Sequence, residues 1–469
     1  MVNEKIFPVK IGLEVHGYLN TQEKLFCMCR TFPPEGVDVR EEKPNTRVCP
    51  ICTGQPGSKP MLVNAGAVRK LMQIALVLKC KVVHDKDLIW QRKHYNWADL
   101  PKGYQNTISG AHAVFPAVHG KFNGVGIREV HLEEDPAQWN PETGRINYNR
   151  SGLPLIEIVT EPDFSNSEDV VLWLKNLILS LSYIKAIRKN AGIKVDVNVS
   201  TYGERVEMKN LNSIEKIRKA IEYEIARQLE EHGAGVVQKR ETLAFDEKLG
   251  RTVKMREKEG QADYRFIPDP DLPLIRLGEK NVKEIERELP EMPEVKLDRL
   301  VKKFKIDKKN AEILARNLEL VEFVEGLVRE KVDVGKNISW ITIELLRVLN
   351  YNKKTLEDDD VEIEPVHLAE LISEIEKNNI TPLKAKQIMN DFVPKSFSLK
   401  ENKEEGGKIA DNAIENLCRQ VIKQNPRVVE EYKEGRGAAL NWLIGGVMKL
   451  SGRRADHVKV KECLGRLLG

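Results

Sequence analysis

The alternation of apolar and polar residues predicts β-strands through the first half of the chain. Residues 128–163 read REVHLEEDPAQWNPETGRINYNRSGLPLIEIVTEPD, in which runs of Val, Ile and Leu are bounded by Pro and Gly. This composition favours short strands over helices. Because alternate residues of a strand share a face, we expect Glu157 to point into a cleft while Ile156 and Ile158 pack behind it.

Two further segments have the same period of two. Residues 9–20, VKIGLEVHGYLN, predict a strand with Glu14 and His16 on one face. A lone strand histidine is usually structural, but a glutamate and a histidine side by side need partners or a ligand when they are buried. Residues 195–200, VDVNVS, predict a strand whose polar face carries Asp196, Asn198 and Ser200.

Apolar residues spaced three and four apart predict amphipathic helices between these strands. One helix is capped by Asn64 and runs to about Lys79, and another opens at a capping box of residues 165–168. A third is capped by Ser213 and ends near Gly233. The apolar faces of the first two helices consist of Ala67, Leu71, Ala75 and Leu78, and of Val170, Leu174, Leu177, Leu181 and Ile184.

The second half of the chain is predicted to be helical. Residues 241–273 still predict a hairpin, but helical patterns account for nearly everything beyond about residue 282. A polar linker at residues 396–408, SFSLKENKEEGGK, divides this half. We therefore expect an α+β fold with three domains, which comprise residues 1–292, 293–400 and 401–469.

Composition and charge narrow the class of protein. The 469 residues carry a net charge of +4, but residues 406–469 have 12 Lys and Arg against 7 Asp and Glu, or +5. A basic tail is expected if it meets phosphate, although it is also common on solvated helices. Without a secretory h-region or a run of 18 apolar residues, we expect a soluble, cytoplasmic protein with no membrane span.

Four of the seven cysteines form two close pairs. The spacing is C-x-C at Cys27 and Cys29, nineteen intervening residues, then C-x-x-C at Cys49 and Cys52. Four thiolates at this spacing can close a tetrahedral Zn²⁺ site, which leaves no open position for catalysis and would be structural. A redox-active C-x-x-C pair is the alternative, made less attractive by the second pair. The other three cysteines are scattered.

The acids of residues 128–163 suggest a site for a hard cation. Glu133, Glu134, Asp135, Glu157 and Glu161 follow or interrupt the predicted strands. Several carboxylates on the floor of a cleft suit Mg²⁺, which takes oxygen ligands and keeps some waters. The alternative is a set of surface salt bridges and turns.

Candidate phosphate contacts lie near the predicted hairpin. Residues 256–265 supply Arg256, Lys258, Asp263, Tyr264 and Arg265. The fragment GQPGSK lacks the spacing of a P-loop, so an ATP site would be of another type.

Eight motifs together resemble one family. IGLEVH, VCPICTGQPG, DLPKGYQ, VHLEED, NRSGLPLIEIVTEPD, VDVNVS, KNLNS and ADYRFIPDPDLP are similar, in this order, to motifs of the B subunits of aspartyl-tRNA(Asn)/glutamyl-tRNA(Gln) amidotransferases. The resemblance runs from about residue 9 to the C-terminus, and RGAALNWLIGGVMKLSGRRAD extends it less specifically. It implies a catalytic cradle similar in fold to glutamine synthetase and guanido kinases, a helical domain and a small all-α tail that binds tRNA.

The resemblance also implies a reaction. The side-chain carboxylate of Asp-tRNA(Asn) or Glu-tRNA(Gln) would be phosphorylated by ATP, and ammonia would then displace phosphate to form the amide. By analogy Glu14, His16, Glu134 and Glu157 would hold Mg²⁺, with Glu133 beside them, although a histidine is an unusual ligand for this cation. Lys209, Arg256 and Arg265 would bind the transferred phosphoryl group, and the four cysteines match the zinc-bearing members of the family.

The resemblance further implies partner proteins. The chain has neither an amidase Gly-Gly-Ser-Ser signature nor a Cys-His glutaminase motif, so it should not hydrolyse glutamine itself. The amidase, or A, subunit of the family and its small C subunit would complete a heterotrimer and deliver ammonia through a tunnel. Closure of the assembly would protect the acyl phosphate from water.

Two rival functions remain open on the residues alone. A non-enzymatic RNA-binding protein would use the cysteines as a zinc knuckle and the basic tail as an anchor, but it leaves the clustered acids without a purpose. A ligase acting on a small amino acid would use the same acids and metal, but it has no need of a helical tail. ATP hydrolysis that depends on charged tRNA would separate the three.

Overall fold

The computed structural model describes residues 9–33, 41–95, 97–188, 192–257, 264–358, 360–399, 409 and 411–469. The chain forms two compact units, Met1–Pro290 and Glu291–Gly469. The first unit is a large sheet covered by helices and the second is helical, so the mixed α and β composition predicted from the sequence is confirmed. Among the described residues no helix combines the length and apolar character needed to cross a bilayer.

The described part of the first unit contains both short and long strands. They are β1 (Lys10–Tyr18), β2 (Lys81–Val82), β3 (Gln91–Lys93), β4 (Gln105–Thr107), β5 (Ala117–Phe122), β6 (Val125–Glu134), β7 (Gln138–Trp139), β8 (Ile146–Asn147), β9 (Pro154–Thr160), β10 (Ile193–Ser200), β11 (Val206–Leu211), β12 (Glu241–Asp246), β13 (Arg251–Glu257) and β14 (Ile267–Pro268). The helices of this unit are α1 (Ala65–Val77), α2 (Ser167–Tyr183), α3 (Ile214–Gly233) and α4 (Glu279–Glu288).

Twelve of these strands form one sheet. Its order is β13-β12-β11-β10-β1-β9-β6-β4-β3-β14, and β5 joins β6 and β2 beside this path. Neighbouring strands are antiparallel except for β11 and β12, which run parallel. The centre of the sheet therefore brings together β1 from the start of the unit, β6 and β9 from its middle and β10 from beyond α2.

One face of the sheet is apolar because the strands alternate as predicted. Leu13 and Val15 of β1, Ile156 and Ile158 of β9, and Val197 of β10 are at most 2% exposed. The helices α1, α2 and α3 contribute buried apolar residues to the same unit, and they contact the strands and one another. The polar residues of these strands are left on the opposite face, which we call the cradle face.

The helix predictions hold with one correction. Asn64 caps α1 by accepting a hydrogen bond from the Ala67 amide, and Ser213 caps α3 by accepting one from the Lys216 amide. The capping box predicted at residues 165–168 is wrong by one residue. Asn166 is the N-cap of α2, and its side chain accepts from the Asp169 amide at 2.8 Å while its own amide group donates to the Asp169 carboxylate.

The regular secondary structure described in the second unit is helical, apart from an isolated β-bridge between Glu362 and Lys395. Its elements are α5 (Pro293–Lys302), α6 (Lys308–Leu314), α7 (Leu318–Arg329), a π-helical segment (Trp340–Leu345), α8 (Leu346–Tyr351), α9 (Pro365–Glu376), α10 (Pro382–Asn390), α11 (Asp411–Gln424), α12 (Pro426–Lys433), α13 (Gly437–Leu450) and α14 (His457–Leu468). Two apolar clusters form its interior, one from residues 300–392 and another from residues 414–464. Most of the predicted linker, residues 400–408, lies outside the described residues.

Candidate active site and cysteine cluster

The centre of the cradle face carries a buried carboxylate between two imidazoles. Strand register places Glu157 of β9 opposite His16 of β1 on one side and opposite His131 of β6 on the other. One Glu157 carboxylate oxygen lies 3.3 Å from His16 Nε2 and 3.3 Å from His131 Nε2. The predicted direction of Glu157 is confirmed, since Ile156 and Ile158 are buried on the other face.

The charges in this group stabilise one another. Burial opposes ionisation of Glu157, but the two histidines hold its pKa well below the usual range of a carboxyl group. Burial likewise disfavours the imidazolium form, yet Glu157 and neighbouring acids raise the pKa of His16 to about 9 and that of His131 to about 10. The group therefore behaves as an anion enclosed by two cations.

Glu133 joins this group from β6. Its side chain lies 3.7 Å from His131 Nε2 and 3.9 Å from Lys93 Nζ of β3. Burial raises the pKa of Glu133, but Lys93 and His131 lower it to a net value below the ordinary one. Its buried Oε1 atom has no hydrogen-bond partner among the residues that the structure describes.

A second acidic group lies beside the first on the cradle face. Glu14 of β1 is paired with Asp196 of β10, and Glu207 of β11 follows on the next strand. One oxygen of each carboxylate lies within 4.8 Å of the others. Burial and the negative charges of Glu157 and Glu207 raise the pKa of Glu14.

Lys209 neutralises part of this second group. Its ammonium lies 2.8 Å from Asp196 and 2.9 Å from Glu207. Burial disfavours its charge, but these two carboxylates raise its pKa above the ordinary value for lysine. The side chain is thus engaged with acids of the sheet.

Both acidic groups have the chemistry of a cation site. Carboxylate oxygens are the ligands that Mg²⁺ prefers, and Glu133 Oε1 accepts no hydrogen bond among the described residues, with only the longer ion-pair contacts to His131 and Lys93. In the group of His16, Glu133 and Glu157 the ligand atoms again lie within 4.8 Å of one another. Glu14, Asp196 and Glu207 therefore fit a hard divalent cation, and so do Glu133 and Glu157, whereas His16 could coordinate only after losing the proton that its raised pKa retains.

Glu134 lies apart from both acidic groups. Consecutive strand residues point to opposite faces, so the neighbour of Glu133 leaves the cradle face. The Glu134 carboxylate accepts a hydrogen bond from Lys102 Nζ at 2.5 Å, and the same ammonium donates to Asn106. The structure thus brings together Glu14, His16, Glu133 and Glu157 on one face, and it pairs Glu134 with Lys102 instead.

The predicted phosphate-binding residues are scattered. Arg265 is exposed, and its carbonyl accepts a hydrogen bond from His94 Nδ1 at 3.0 Å. The backbone of Arg256 pairs with Thr242 between β12 and β13, but the Arg256 side chain lies outside the described part of the chain, as do Lys258 and Asp263.

The four paired cysteines converge at one point. Cys27, Cys29, Cys49 and Cys52 place their sulfur atoms within 4.8 Å of one another, and Cys49 and Cys52 are 3.9 Å apart. A tetrahedral zinc site with bonds of about 2.3 Å requires sulfurs about 3.8 Å apart, so the cluster fits that metal.

A hydrogen bond from Cys27 and a buried lysine favour ionisation of one of these sulfurs. Lys24, 1% exposed, places its ammonium 3.5 Å from Cys52 Sγ. The hydrogen bond from Cys27 and the charge of Lys24, opposed by burial, lower the pKa of Cys52 to about 5. Burial raises the pKa of Cys29 to about 11, so the cluster combines one ready thiolate with thiols that a metal would have to deprotonate.

Several members of the acidic groups were not singled out from the sequence. His131 and Glu129 precede Glu133 by two and four residues, so the strand period places them on its face. His131 Nδ1 lies 3.6 Å from Glu129. Glu207 and Lys93 have no such signal, because their proximity depends on the order of the strands in the sheet.

Comparison with known proteins gives consistent matches over nearly the whole chain. Residues 9–283 match the GatB/GatE catalytic domain family, and residues 322–468 match the GatB domain family. The chain is 42% identical over 470 residues to the B subunit of the aspartyl/glutamyl-tRNA(Asn/Gln) amidotransferase of Methanocaldococcus jannaschii, with 97% of each chain covered. It is 41% identical over 470 residues to the same subunit of Methanococcus maripaludis, again with 97% of each covered, and 40% identical over 457 residues to that of Methanopyrus kandleri, with 96% covered.

Proposed function

The chain belongs to the GatB family of amidotransferase B subunits, and on that premise we propose that it catalyses the ATP-dependent amidation of aminoacyl-tRNA. The substrates are Asp-tRNA(Asn), Glu-tRNA(Gln) or both, and the products are the corresponding Asn- and Gln-tRNAs. The observation that supports this proposal is the convergence of acids from five strands on one sheet face. A carbon–nitrogen ligase needs such a site to bring a carboxylate and a polyphosphate together.

The reaction follows from the chemistry of the substrate. A side-chain oxygen of the aminoacyl group attacks the γ-phosphorus of ATP, and the bond to ADP breaks to give an acyl phosphate. The lone pair of ammonia then attacks the acyl carbon, phosphate leaves with the bonding electrons, and the nitrogen loses a proton. Both steps gather negative charge, so catalysis depends on positioning and on charge compensation.

Within this scheme the two acidic groups hold divalent cations. Glu133 and Glu157 would be ligands in one group, which His16 would join only after losing its proton, and Glu14, Asp196 and Glu207 would be the ligands in the other. Bound Mg²⁺ would neutralise the phosphate oxygens and align them with the attacking carboxylate. The two histidines that enclose Glu157 orient its carboxylate, and Lys93 does the same for Glu133.

We further propose the assembly and the domain roles that family membership suggests. Ammonia comes from glutamine through the amidase, or A, subunit of the family, while its small C subunit completes the heterotrimer. The cradle of residues 1–292 shares its lineage with glutamine synthetase and guanido kinases, and the cysteine cluster holds structural Zn²⁺. Residues 293–400 form a helical domain, and residues 401–469 bind the tRNA.

The decisive experiment is amide formation from free ammonium. The purified chain, alone and with its partner proteins, receives ATP, Mg²⁺, ammonium and Asp-tRNA(Asn) or Glu-tRNA(Gln). We expect Glu157→Gln to lower kcat at least a hundredfold, because it keeps the shape of the side chain and removes a charge that binds the cation.

The matched control is Glu161→Gln in the same segment. The Glu161 side chain is 42% exposed and pairs with Arg128 at 2.9 Å outside the acidic groups, so this variant should keep wild-type activity. If no tRNA is amidated even with partners present, the proposal fails and a non-catalytic RNA-binding role takes its place.

A further inference from the structure

A buried lysine beside the cysteine cluster has no part in the proposed reaction. Lys24 lies in the segment between β1 and α1, and its side chain is shielded from solvent. Its ammonium donates to the carbonyl oxygens of Arg47 at 2.8 Å and Tyr148 at 3.2 Å, and to Cys52 Sγ at 3.5 Å. An ammonium has three donors, so these three acceptors match all of them.

The charge of this lysine is balanced by sulfur. Among the residues that the structure describes, no carboxylate forms an ion pair with the Lys24 ammonium. A buried ammonium is costly unless an anion compensates it. Arg47 and Tyr148 offer neutral carbonyl groups, so of the three acceptors only Cys52 can carry a negative charge. Burial of Lys24 therefore requires an anionic cysteine cluster.

A metal held by four thiolates meets this requirement. The thiolates bring four negative charges and Zn²⁺ brings two positive ones, so the loaded cluster keeps an excess of negative charge. Cys52 is buried, where such an excess is unfavourable, and the ammonium of Lys24 compensates half of it. A disulfide between Cys49 and Cys52 would be neutral and would leave the ammonium without an anion. The charge of Lys24 thus favours a metal site over a redox-active pair.

The same lysine connects the cluster to the segment that enters β9. The Ser151 hydroxyl donates to the Cys52 carbonyl at 2.7 Å, beside the bond from Lys24 to the carbonyl of residue 148. Gly152 has a φ of +83°, and a Cβ there would lie 3.5 Å from both Lys24 Cδ and Cys52 Cβ. Residues 148–152 therefore pack directly on this lysine and this cysteine, and β9 follows immediately along the chain.

We propose that Lys24 is a positioning residue of the metal site, whose ammonium compensates the charge of the loaded cluster and fastens Cys52 to the turn before β9. The assignment rests on the zinc site of the proposed function. Without the ammonium the cluster holds its metal less tightly, because the excess negative charge is no longer offset. Residues 148–152 lose one of their anchors at the same time.

The test replaces the ammonium by an uncharged side chain of similar length. Full-length wild type and Lys24→Met are purified with zinc bound, and the zinc affinity of each is measured by competition with a chromophoric chelator. We expect Lys24→Met to bind zinc at least tenfold more weakly. In amide hydrogen exchange, residues 148–153 of the zinc-loaded variant should exchange faster than in wild type, while the second unit stays unchanged.

Cobalt substitution separates the charge of Lys24 from its packing. A positive charge beside a thiolate stabilises the sulfur lone pairs, so it raises the energy of charge transfer from sulfur to Co²⁺. The charge-transfer band of cobalt-loaded Lys24→Met should therefore lie at longer wavelength than that of wild type. Its intensity should still report four thiolates.

Two further variants control this measurement. Lys24→Gln keeps hydrogen-bond donors but removes the charge, and it should show the same shift of the cobalt band, so the test does not depend on one variant folding. Lys43→Met makes the matched change at an exposed lysine of the segment between the two cysteine pairs. This variant should keep the zinc affinity and the cobalt band of wild type.

The outcomes are distinguishable from failure of the proposed function. Unchanged zinc affinity in both Lys24 variants would overturn the assignment, and so would weaker binding with an unshifted cobalt band, which a purely structural lysine would give. Unchanged exchange at residues 148–153 would refute the link to β9. Wild-type protein that binds no zinc would overturn the assignment together with the metal site, whereas amidation of tRNA is measured independently and stands or fails by itself.

Discussion

Individual carboxylates in this protein are kept ionised in buried positions by the cations around them. Glu157 has His16 and His131, Glu133 has Lys93, and Glu325 of α7 has Lys296 and Arg299. Burial alone would favour the neutral acid in each case, so the cations decide the charge. On the proposed function the first two sites would exchange these partners for a metal, whereas the third is an ion pair of the second unit.

At Glu325 this charge compensation can be tested through stability. Lys296 is 7% exposed and lies 2.9 and 3.0 Å from the two Glu325 oxygens. Glu325→Gln removes the nearer anion of this buried ammonium and leaves it Glu291 at 3.7 Å, so it should destabilise the second unit by about 2 kcal/mol at pH 7. Urea unfolding of the full chain, monitored for the second unit, measures this difference.

The pH dependence of this stability difference follows from the direction in which the pKa of Glu325 is shifted. Burial raises the pKa of Glu325, but Lys296 and Arg299 lower it to a net value below the ordinary 4.5. The stabilisation is therefore present above the unfolded pKa and is lost as the pH falls through the folded value. The stability difference between wild type and variant should therefore narrow as the pH falls below 4.5, and a difference that stays constant down to pH 3 would contradict the assignment.

The control for this prediction is an exposed pair of the same charge type. Asp298 and Lys302 of α5 form an i,i+4 pair with side chains 66% and 75% exposed. Asp298→Asn should change stability by no more than about 0.5 kcal/mol, because solvent screens the pair.

At the scale of the element, helix ends follow local chemistry but the exact cap depends on backbone geometry. The segment before α2 offers Ser165, Asn166 and Ser167 as possible caps, and the spacing of Ser165 and Glu168 suggests a capping box. The structure uses Asn166, which adopts an extended conformation and pairs reciprocally with Asp169. The same reciprocal chemistry thus occurs one residue later than predicted.

Replacing the caps one at a time tests this difference. Asn166→Ala removes the acceptor for the Asp169 amide and should cost about 1 kcal/mol of unfolding free energy. Ser165→Ala should cost less than half as much, since Ser165 caps no amide of the helix in the described structure. Chemical denaturation measures the free energy of unfolding of the two variants. A larger loss of stability for Ser165→Ala would support the predicted capping box of residues 165–168 instead.

At the scale of the whole molecule, the two units have separate interiors and should respond separately to loss of metal. The cysteine cluster belongs to the first unit, and Cys418 and Cys463 lie in an apolar cluster of the second. A structural metal in this cluster would therefore stabilise the first unit only. The segment that carries Cys27 follows β1 along the chain, and it contacts the cap of α1, since Asn64 Nδ2 donates to the Glu23 carbonyl at 3.0 Å.

Chelation of the metal should lower the unfolding temperature of the first unit and leave that of the second unit unchanged. We expect one zinc per chain by elemental analysis, and its removal or Cys52→Ser should cost the first unit about 3 kcal/mol, a fall of roughly 6–12 °C in its Tm. Cys418→Ala serves as the control, since it should keep the zinc and lower only the transition of the second unit. Wild-type protein that contains no zinc, or a chelator that shifts neither transition, would contradict the prediction.

Local patterns predicted much of the structure because they report short-range constraints. The alternation in residues 9–20 and 195–200 gave β1 and β10 with their polar faces, and the apolar spacing after Asn64 and Ser213 gave α1 and α3. The spacing of the two cysteine pairs indicated that their four sulfur atoms would lie close together. The division of the second unit into residues 293–400 and 401–469 stays a prediction.

The sequence by itself determined which residues of each strand and helix face inward, since side-chain direction repeats every two or 3.6 residues along the backbone. Only the tertiary structure decided which polar faces meet. Glu14 and Glu207 are 193 positions apart, and their contact depends on β10 lying between β1 and β11. The same sheet order engages Lys209 with two acids and pairs Glu134 with Lys102. Strand order and register come from packing between distant segments, which no local period encodes.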